Sequence, residues 1–132
     1  MHITEQSFHK LLRDHPHLCA AGLAGPDLCR KLHLDFAAER RRLEEAFAEF
    51  AACCDWFLDC TPLKHVSFVS PLSRDLTAHV EKQSGIPASN GAVVAAVLHL
   101  RIPQRQLPDS PDIKVGISLR SPTLAGTPER QG

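Results

Sequence analysis

Histidine and cysteine side chains in the first quarter of the chain are of the types that bind zinc. Cys29 and His33 are four residues apart, so a helix would place both on one face, which is a spacing that zinc sites use. The HxHxC run that precedes them matches no standard pair of zinc ligand loops. The candidate metal ligands are His15, His17, Cys19, Cys29 and His33. A zinc-binding protein is one hypothesis, and surface histidines with packed thiols are the alternative that this spacing favours.

The cysteines do not follow the pattern of a disulfide framework. Their number is odd, and Cys53 and Cys54 are adjacent, which a disulfide scaffold does not use. We therefore expect reduced thiols, several of them buried as small apolar side chains. The full set is Cys19, Cys29, Cys53, Cys54 and Cys60.

Patterns that indicate catalysis are weak in this chain. Asp75 and His79 are spaced i, i+4 near several serines, but the nucleophile elbow of a serine hydrolase does not occur. Neither GxGxxG nor GxxxxGKS/T, the glycine-rich loops that bind phosphates, is present. An exposed acid and histidine pair on a helix explains the spacing. We therefore assign no catalytic residue and expect a binding protein rather than an enzyme.

Basic residues in the second half are candidates for contact with nucleic acid or another anion. They flank residues 70–100, where two predicted helices around Gly85 are typical of a helix-turn-helix unit. The second helix is apolar, so it fits a core helix rather than one that reads bases. Asn90 lies at its start, where free backbone N–H groups and the positive end of the dipole attract anions. The candidate contacts are Arg74, Lys82, Asn90, Arg101, Arg105, Lys114 and Arg120.

Two other features have structural explanations. The mixed-charge run at residues 39–45 pairs Arg41 with Glu45 at i, i+4, which favours a solvated helix face over an anion site. The chain has no tyrosine, one tryptophan and six phenylalanines. Four of these phenylalanines lie on one predicted helix stripe, so we expect them to pack in the core rather than stack on the bases of a single strand.

Apolar periodicity predicts two helices in the first half of the chain. Thr4 suits the N-cap of a helix over residues 5–14. From Asp35 onward, large apolar residues advance by alternating steps of four and three, so residues 36–59 are predicted to form one long central helix. Arg40 is the only polar member of that stripe.

The second half is predicted to hold two further helices. Leu72, Leu76 and Val80 recur every four residues, and Gly85 suits the left-handed position that ends a helix. Ser89 or Asn90 suits the N-cap of the next helix, and residues 88–100 are apolar almost all round. A helix of this composition has to be buried between neighbours, so it should be the core helix of this half.

A strand is predicted at residues 113–119, where apolar and polar residues alternate. A lone strand cannot satisfy its own backbone, so it needs a partner. Residues 65–69 are the internal candidate, and the same edge of a second subunit is the other, which is the reason to suspect a homodimer. The polar, proline-bearing stretch at 104–112 is predicted to be irregular, and residues 121–132 a disordered tail.

These elements predict a mainly α-helical α+β fold, with about four helices and one or two short strands near residues 65–69 and 113–119. With 132 residues, 43% of them hydrophobic, the chain is expected to form a single helical domain over residues 1–120. Its 15 basic and 15 acidic residues cancel, so net charge indicates no partner. No signal peptide or run of about 18 apolar residues occurs, so we expect a cytoplasmic protein without membrane contact.

Residues 64–118 resemble a group of small bacterial proteins that are often associated with mobile elements. The pattern of that group runs Y-I-S-N-G-A-F-I-A-A-A, and residues 89–96 of this chain read SNGAVVAA. Leu76, His79 and Glu81 match its earlier motif loosely. The group has no established activity, so the resemblance implies a shared fold unit and a mobile-element setting.

We predict a non-enzymatic accessory or regulatory binding protein that acts through a protein partner or its own dimer. The exposed face of residues 73–84 and the segment 101–120 form the predicted contact surface. A nucleic-acid-binding regulator is the first alternative, and it predicts basic side chains gathered on one face. A zinc-binding protein is the second alternative, and it predicts stoichiometric zinc that chelation removes. No other cofactor is expected.

Overall fold

The computed structural model of the protein describes residues 3–118. The elements in this part of the chain are α1 (Glu5–Asp14), β1 (Leu18–Cys19), β2 (Gly22–Leu23), α2 (Pro26–Lys31), α3 (Phe36–Glu44), α4 (Phe47–Leu58), α5 (Ser73–Ser84), α6 (Asn90–His99), β3 (Gln104–Gln106) and β4 (Ile113–Val115). The strands form two antiparallel pairs, β1 with β2 and β3 with β4. The predicted mainly α-helical α+β class is confirmed, with six helices in the described residues rather than about four.

Helix α6 lies at the centre of the core. Residues 91–97 are all buried, and α6 packs against α4 and α5. From α4, Phe50 and Trp56 are buried in the same core, and the Phe50 ring stacks on Phe8 of α1 at a centroid distance of 4.6 Å. A helix that is apolar on all sides has to be enclosed in this way. The prediction of a buried core helix is therefore confirmed.

Three predicted helix ends are confirmed by their caps. The hydroxyl of Thr4 accepts a hydrogen bond from the N–H of Ser7 at 3.0 Å, which begins α1. Gly85 ends α5 in the left-handed conformation, with φ at 74°. The hydroxyl of Ser89 accepts from the N–H of Ala92 at 3.1 Å and begins α6. Each cap depends on residues within four positions of one another, which is why the sequence reveals it.

The single long helix predicted over residues 36–59 is wrong, because the chain breaks into α3 and α4 at Glu45 and Ala46. The N–H of Ala46 donates to the carbonyl of Leu43 at 2.9 Å, which tightens the turn between the two helices. Within α3, Phe36 covers a small group formed by Cys19, Ala24 and Cys29, whereas Leu43 packs in the main core. Phe47, on the other side of the break, also packs against the main core. The apolar stripe therefore continues across the break although the helix does not.

Arg40 of α3 holds the end of α1. Its guanidinium donates to the carbonyls of Leu12, His15 and Leu18 at 2.6, 3.0 and 2.8 Å, and its Nε lies 3.4 Å from a carboxylate oxygen of Glu44. The last carbonyls of a helix have no hydrogen-bond partner within the helix. A cation at this end also interacts favourably with the helix dipole. The one polar member of the predicted stripe is therefore half-buried for a structural reason.

The strand predicted at residues 113–119 is present as β4, which covers Ile113–Val115, and Leu119 lies outside the described residues. The prediction that residues 65–69 form its partner strand is wrong, because this segment contains no strand and β3 pairs with β4 instead. β3 falls in the stretch that was predicted to be irregular. Only a short loop separates β3 from β4, so a hairpin closes at a small entropic cost. The chain itself pairs this strand, which removes that reason to suspect a dimer.

Two further predictions concern the membrane and the tail. Within residues 3–118, no helix has both the length and the apolar character needed to cross a membrane. The tail predicted at residues 121–132 lies outside the described residues.

Candidate contact surface

Residues 63–71 form a loop whose two ends are held at β4. The N–H of Leu63 donates to the carbonyl of Gly116 at 2.8 Å, and the N–H of Val115 donates to the carbonyl of Pro71 at 2.8 Å. Isolated β-bridges just outside the loop continue this pairing on either side. Both ends of the loop therefore lie against β4 and the residue that follows it. A compact loop with ends this close is an Ω-loop, an element that frequently carries function.

The tip of this loop is a turn closed by two serines. The N–H of Ser67 donates to the hydroxyl oxygen of Ser70 at 2.9 Å, and the N–H of Ser70 donates to the carbonyl of Ser67 at 3.1 Å. Between them, the side chain of Phe68 is 91% exposed and that of Val69 is 64% exposed. Phe68 is the most exposed large hydrophobic residue in the part of the chain that the structure describes. The turn thus presents an apolar pair to solvent.

Lys114 of β4 joins the tip to the strand. Its Nζ donates to the carbonyl of Phe68 at 2.8 Å and lies 5.1 Å from the centroid of the Phe68 ring, which is within range of a cation–π contact. An ammonium group has three donors, so others remain for a ligand. Lys114, which is predicted to contact anions, and the exposed side chain of Phe68 therefore belong to one surface.

Arg105 of β3 stands directly opposite Lys114 in the β3–β4 pair. Directly opposed residues in an antiparallel pair lie on the same face, with Cβ atoms about 5 Å apart. Within residues 3–118, neither cation forms an ion pair with a carboxylate. Like charges in this position lower stability, and a bound anion would relieve that cost. We call the group formed by Phe68, Val69, Arg105 and Lys114 the Phe68 surface.

Arg74, in the first turn of α5, is held by a buried carboxylate. Its Nε lies 3.0 Å from Oδ2 of Asp112, a residue that is only 4% exposed. Oδ1 of Asp112 accepts a hydrogen bond from Nδ2 of Asn90 at 2.9 Å. Buried carboxylates need partners of this kind. The charge of Arg74 is therefore balanced within the protein.

Asn90 and Gly91 join α6 to the turn between β1 and β2. Nδ2 of Asn90 donates to the carbonyl of Ala21 at 2.8 Å, and the N–H of Gly91 donates to the carbonyl of Ala20 at 2.9 Å. A Cβ atom at Gly91 would overlap the carbonyl oxygen of Cys19, so only glycine permits this close approach. The residues at the centre of the SNGAVVAA motif therefore have a packing role in this protein.

The remaining predicted anion contacts lie at helix ends or outside the description. Lys82 is in the last turn of α5, and Arg101 directly follows the C-cap of α6. A cation at the C-terminal end of a helix interacts favourably with the helix dipole, which gives both residues a structural role. Arg120 lies outside the described residues. Of the predicted contacts, the structure brings Arg105 and Lys114 together.

The predicted zinc ligands are brought together only in part. The Sγ atoms of Cys19 and Cys29 are 3.9 Å apart, and both thiols donate to the carbonyl of Ala24. His17 and His33 are exposed, and His15 is half-buried. No group of three or more His, Cys, Asp or Glu side chains that could hold a metal ion occurs among residues 3–118. Zinc binding stays a prediction without a ligand set in this part of the chain.

Within residues 3–118 the cysteines form no disulfide, and all five side chains are buried. Burial and, to a smaller extent, the neighbouring Cys19 together raise the pKa of the Cys29 thiol to about 11. Burial likewise raises the pKa of Cys54 to about 12 and that of Cys53 beyond the usual range of thiols. These thiols are protonated at neutral pH, and a thiol in this state is a poor nucleophile.

Phe68 and Val69 are not among the contact residues predicted from the sequence. The strand predicted at residues 113–119 needs a partner, and the segment 65–69 is the internal candidate for it. One signal was present: Ser67 and Ser70 flank the apolar pair, and serines are typical of turns. Of the four phenylalanines on the predicted stripe, Phe50 and Phe57 are buried and Phe36 and Phe47 are partly buried against the two apolar clusters, whereas Phe68 lies outside that stripe.

Comparisons with known proteins identify no relative of this chain. No family model matches the chain, and neither the curated proteins nor the solved structures contain a significant match. The resemblance of residues 89–96 to a group of mobile-element proteins therefore stays a prediction. The function has to be inferred from the residues of this chain.

Proposed function

We propose that this protein is a non-enzymatic binding protein and that it contacts a protein partner through the Phe68 surface. The 91% exposure of Phe68, on a loop held at both ends, is the observation that supports the proposal. Full burial of a phenylalanine side chain contributes about 1.5 to 3 kcal/mol. Large aromatic side chains and arginine are enriched at protein interfaces. An exposed phenylalanine on the same surface as Arg105 fits that composition.

The loop is arranged to bind without much loss of conformational freedom. Its ends are bonded to Gly116 and Val115, and its tip is closed by Ser67 and Ser70. Ordering a flexible loop on association weakens affinity, so a loop that is held in advance binds more tightly than a free one. The backbone that carries Phe68 meets this condition.

Site-specific photocrosslinking in the cells that naturally contain the protein tests the proposal. A photoreactive phenylalanine analogue replaces Phe68 in one variant and Ala38, an exposed residue of α3, in the matched control. We expect a discrete cross-linked protein at position 68 that is absent at position 38. Mass spectrometry of the adduct then tells a second copy of this chain from a different protein. Identical adducts at the two positions would contradict the proposal.

A nucleic-acid-binding regulator is the second candidate, because an exposed aromatic ring beside two cations is also the composition of a site that stacks bases of a single strand. The helix-turn-helix form of this candidate lacks support, since residues 91–97 of α6 are buried and cannot enter a groove. Single-strand binding predicts an affinity for oligothymidylate that falls steeply as salt rises. No binding at 50 mM salt would exclude this candidate.

A further inference from the structure

We infer that the partner of the Phe68 surface presents an extended acidic segment. Two acidic residues and then an apolar residue occupy every second position of this segment, with one other residue between each. This inference rests on the proposed function, because it names the chemistry of the partner at that same surface. Its support comes from the uncompensated charge of Arg105 and Lys114, their order across the strands, and the apolar pair beside them.

The charge of the surface selects an anion. Arg105 and Lys114 are opposed on one face of the β3–β4 pair, and no carboxylate of residues 3–118 forms an ion pair with either. Arg74 differs from them, because Asp112 already balances it. A guanidinium binds a carboxylate with two parallel hydrogen bonds, and an ammonium binds one as a point charge. A partner with two carboxylates would therefore neutralise this face.

The order of the side chains selects an extended segment. Arg105 lies on one side of Lys114, and Leu72, which bridges to Lys114, lies on the other side together with the loop that carries Phe68. Neighbouring strands are about 4.8 Å apart, and the Phe68 ring centroid is 5.1 Å from Nζ of Lys114. An extended chain places every second side chain on one face, about 6.6 Å apart. Its first, third and fifth side chains would reach Arg105, Lys114 and Phe68 in turn.

The apolar end of the row favours a peptide over a nucleic acid. Val69 stands next to Phe68 and is 64% exposed, so the apolar contact is formed by an aliphatic and an aromatic side chain together. A nucleobase stacks on flat aromatic rings, and this surface offers it one. An aliphatic or aromatic side chain of a peptide would contact both residues and bury more apolar area.

An NMR titration of the full chain tests the inference. The probe is the blocked heptapeptide SESDSFS, and the comparison peptides are SKSKSFS, with reversed charge, and SESDSSS, without the apolar residue. The protein variants are Arg105→Gln combined with Lys114→Gln, Phe68→Ser, and Arg13→Gln as a matched control for loss of an exposed cation outside every candidate site. The amide spectrum of each variant shows whether it is folded before any peptide is added.

We expect SESDSFS to shift the amide signals of residues 66–69, 105 and 114. The dissociation constant should rise at least tenfold in the double variant and in Phe68→Ser, and should stay unchanged in Arg13→Gln. Equal binding of SKSKSFS would overturn the acidic inference and leave the proposed contact surface standing. Binding of oligothymidylate to these residues without binding of any peptide would overturn both. No response to any probe would overturn the inference, and the crosslinking result would then decide the proposed function separately.

Discussion

Replacing Arg40 by methionine should destabilise the protein, because this side chain closes the C-terminal end of α1. Its guanidinium donates hydrogen bonds to three backbone carbonyls, those of Leu12, His15 and Leu18. The variant leaves these carbonyls without their charged donor and removes the contact with Glu44. Methionine keeps most of the aliphatic stem, so the packing of α3 against α1 changes little.

The size of the effect follows from the number and the burial of these hydrogen bonds. A hydrogen bond to a charged group contributes about 1.5 to 3 kcal/mol, and about 1 kcal/mol where water can replace the donor in part. The Arg40 side chain is 17% exposed, which places the three bonds near the lower value. We therefore expect the free energy of unfolding to fall by about 3 kcal/mol.

Urea unfolding followed by the fluorescence of Trp56, which is buried in the core, measures this loss. With an m-value of about 2 kcal/mol/M, the midpoint should move down by about 1.5 M. Arg42→Met is the matched control, because Arg42 is exposed on the same helix and its loss should cost less than about 0.5 kcal/mol. Midpoints of the two variants that agree within about 0.3 M would refute the assigned role of Arg40.

Three further predictions concern packing, pH and the exposed surface. Gly91→Ala should lower the free energy of unfolding by at least about 3 kcal/mol or abolish folding, because its methyl group would overlap the carbonyl of Cys19. Gly85 lies in open space at positive φ, so Gly85→Ala should lower it by about 1 kcal/mol. Urea midpoints compare the two variants. Burial lowers the pKa of His99 below its ordinary 6.5, so the unfolded chain takes up this proton first and stability should fall as the pH drops below about 6.5. His99→Gln should flatten that part of the stability curve, and an unchanged pH dependence would contradict the assignment. Phe68→Ser should leave the melting temperature within about 1 °C of the parent in calorimetry, because its side chain is 91% exposed, and a drop of about 5 °C would assign Phe68 to the fold instead.

The sequence predicted those features that depend on neighbours in the chain. Thr4, Gly85 and Ser89 mark helix ends through contacts that span a few residues. The burial of α6 follows from its composition, because a helix without a polar face has to be enclosed. These features need no knowledge of which distant segments meet.

Contacts between distant segments explain why two predictions, the single long helix and the strand partner, are wrong. The stripe from Phe36 to Phe57 meets two separate clusters, the small cysteine cluster at Phe36 and the main core from Leu43 onward, and the helix predicted along it breaks at Glu45 and Ala46. The strand partner was misplaced because β3 and the loop at residues 63–71 both approach β4, and only one of them forms a ladder. Periodicity does not distinguish between two segments that are both near a strand.

The candidate site shows the same division. The sequence indicated Arg105 and Lys114 as cations that could contact an anion, since residue type alone supports this. Strand register places these two cations opposite each other on one face. The contacts that hold the loop at β4 place Phe68 on the same surface. The sequence by itself therefore determined the fold class, the helix caps and the chemical types available at the surface. Only the tertiary structure decided which of these side chains meet, because pairing and exposure arise from contacts between segments far apart in the chain.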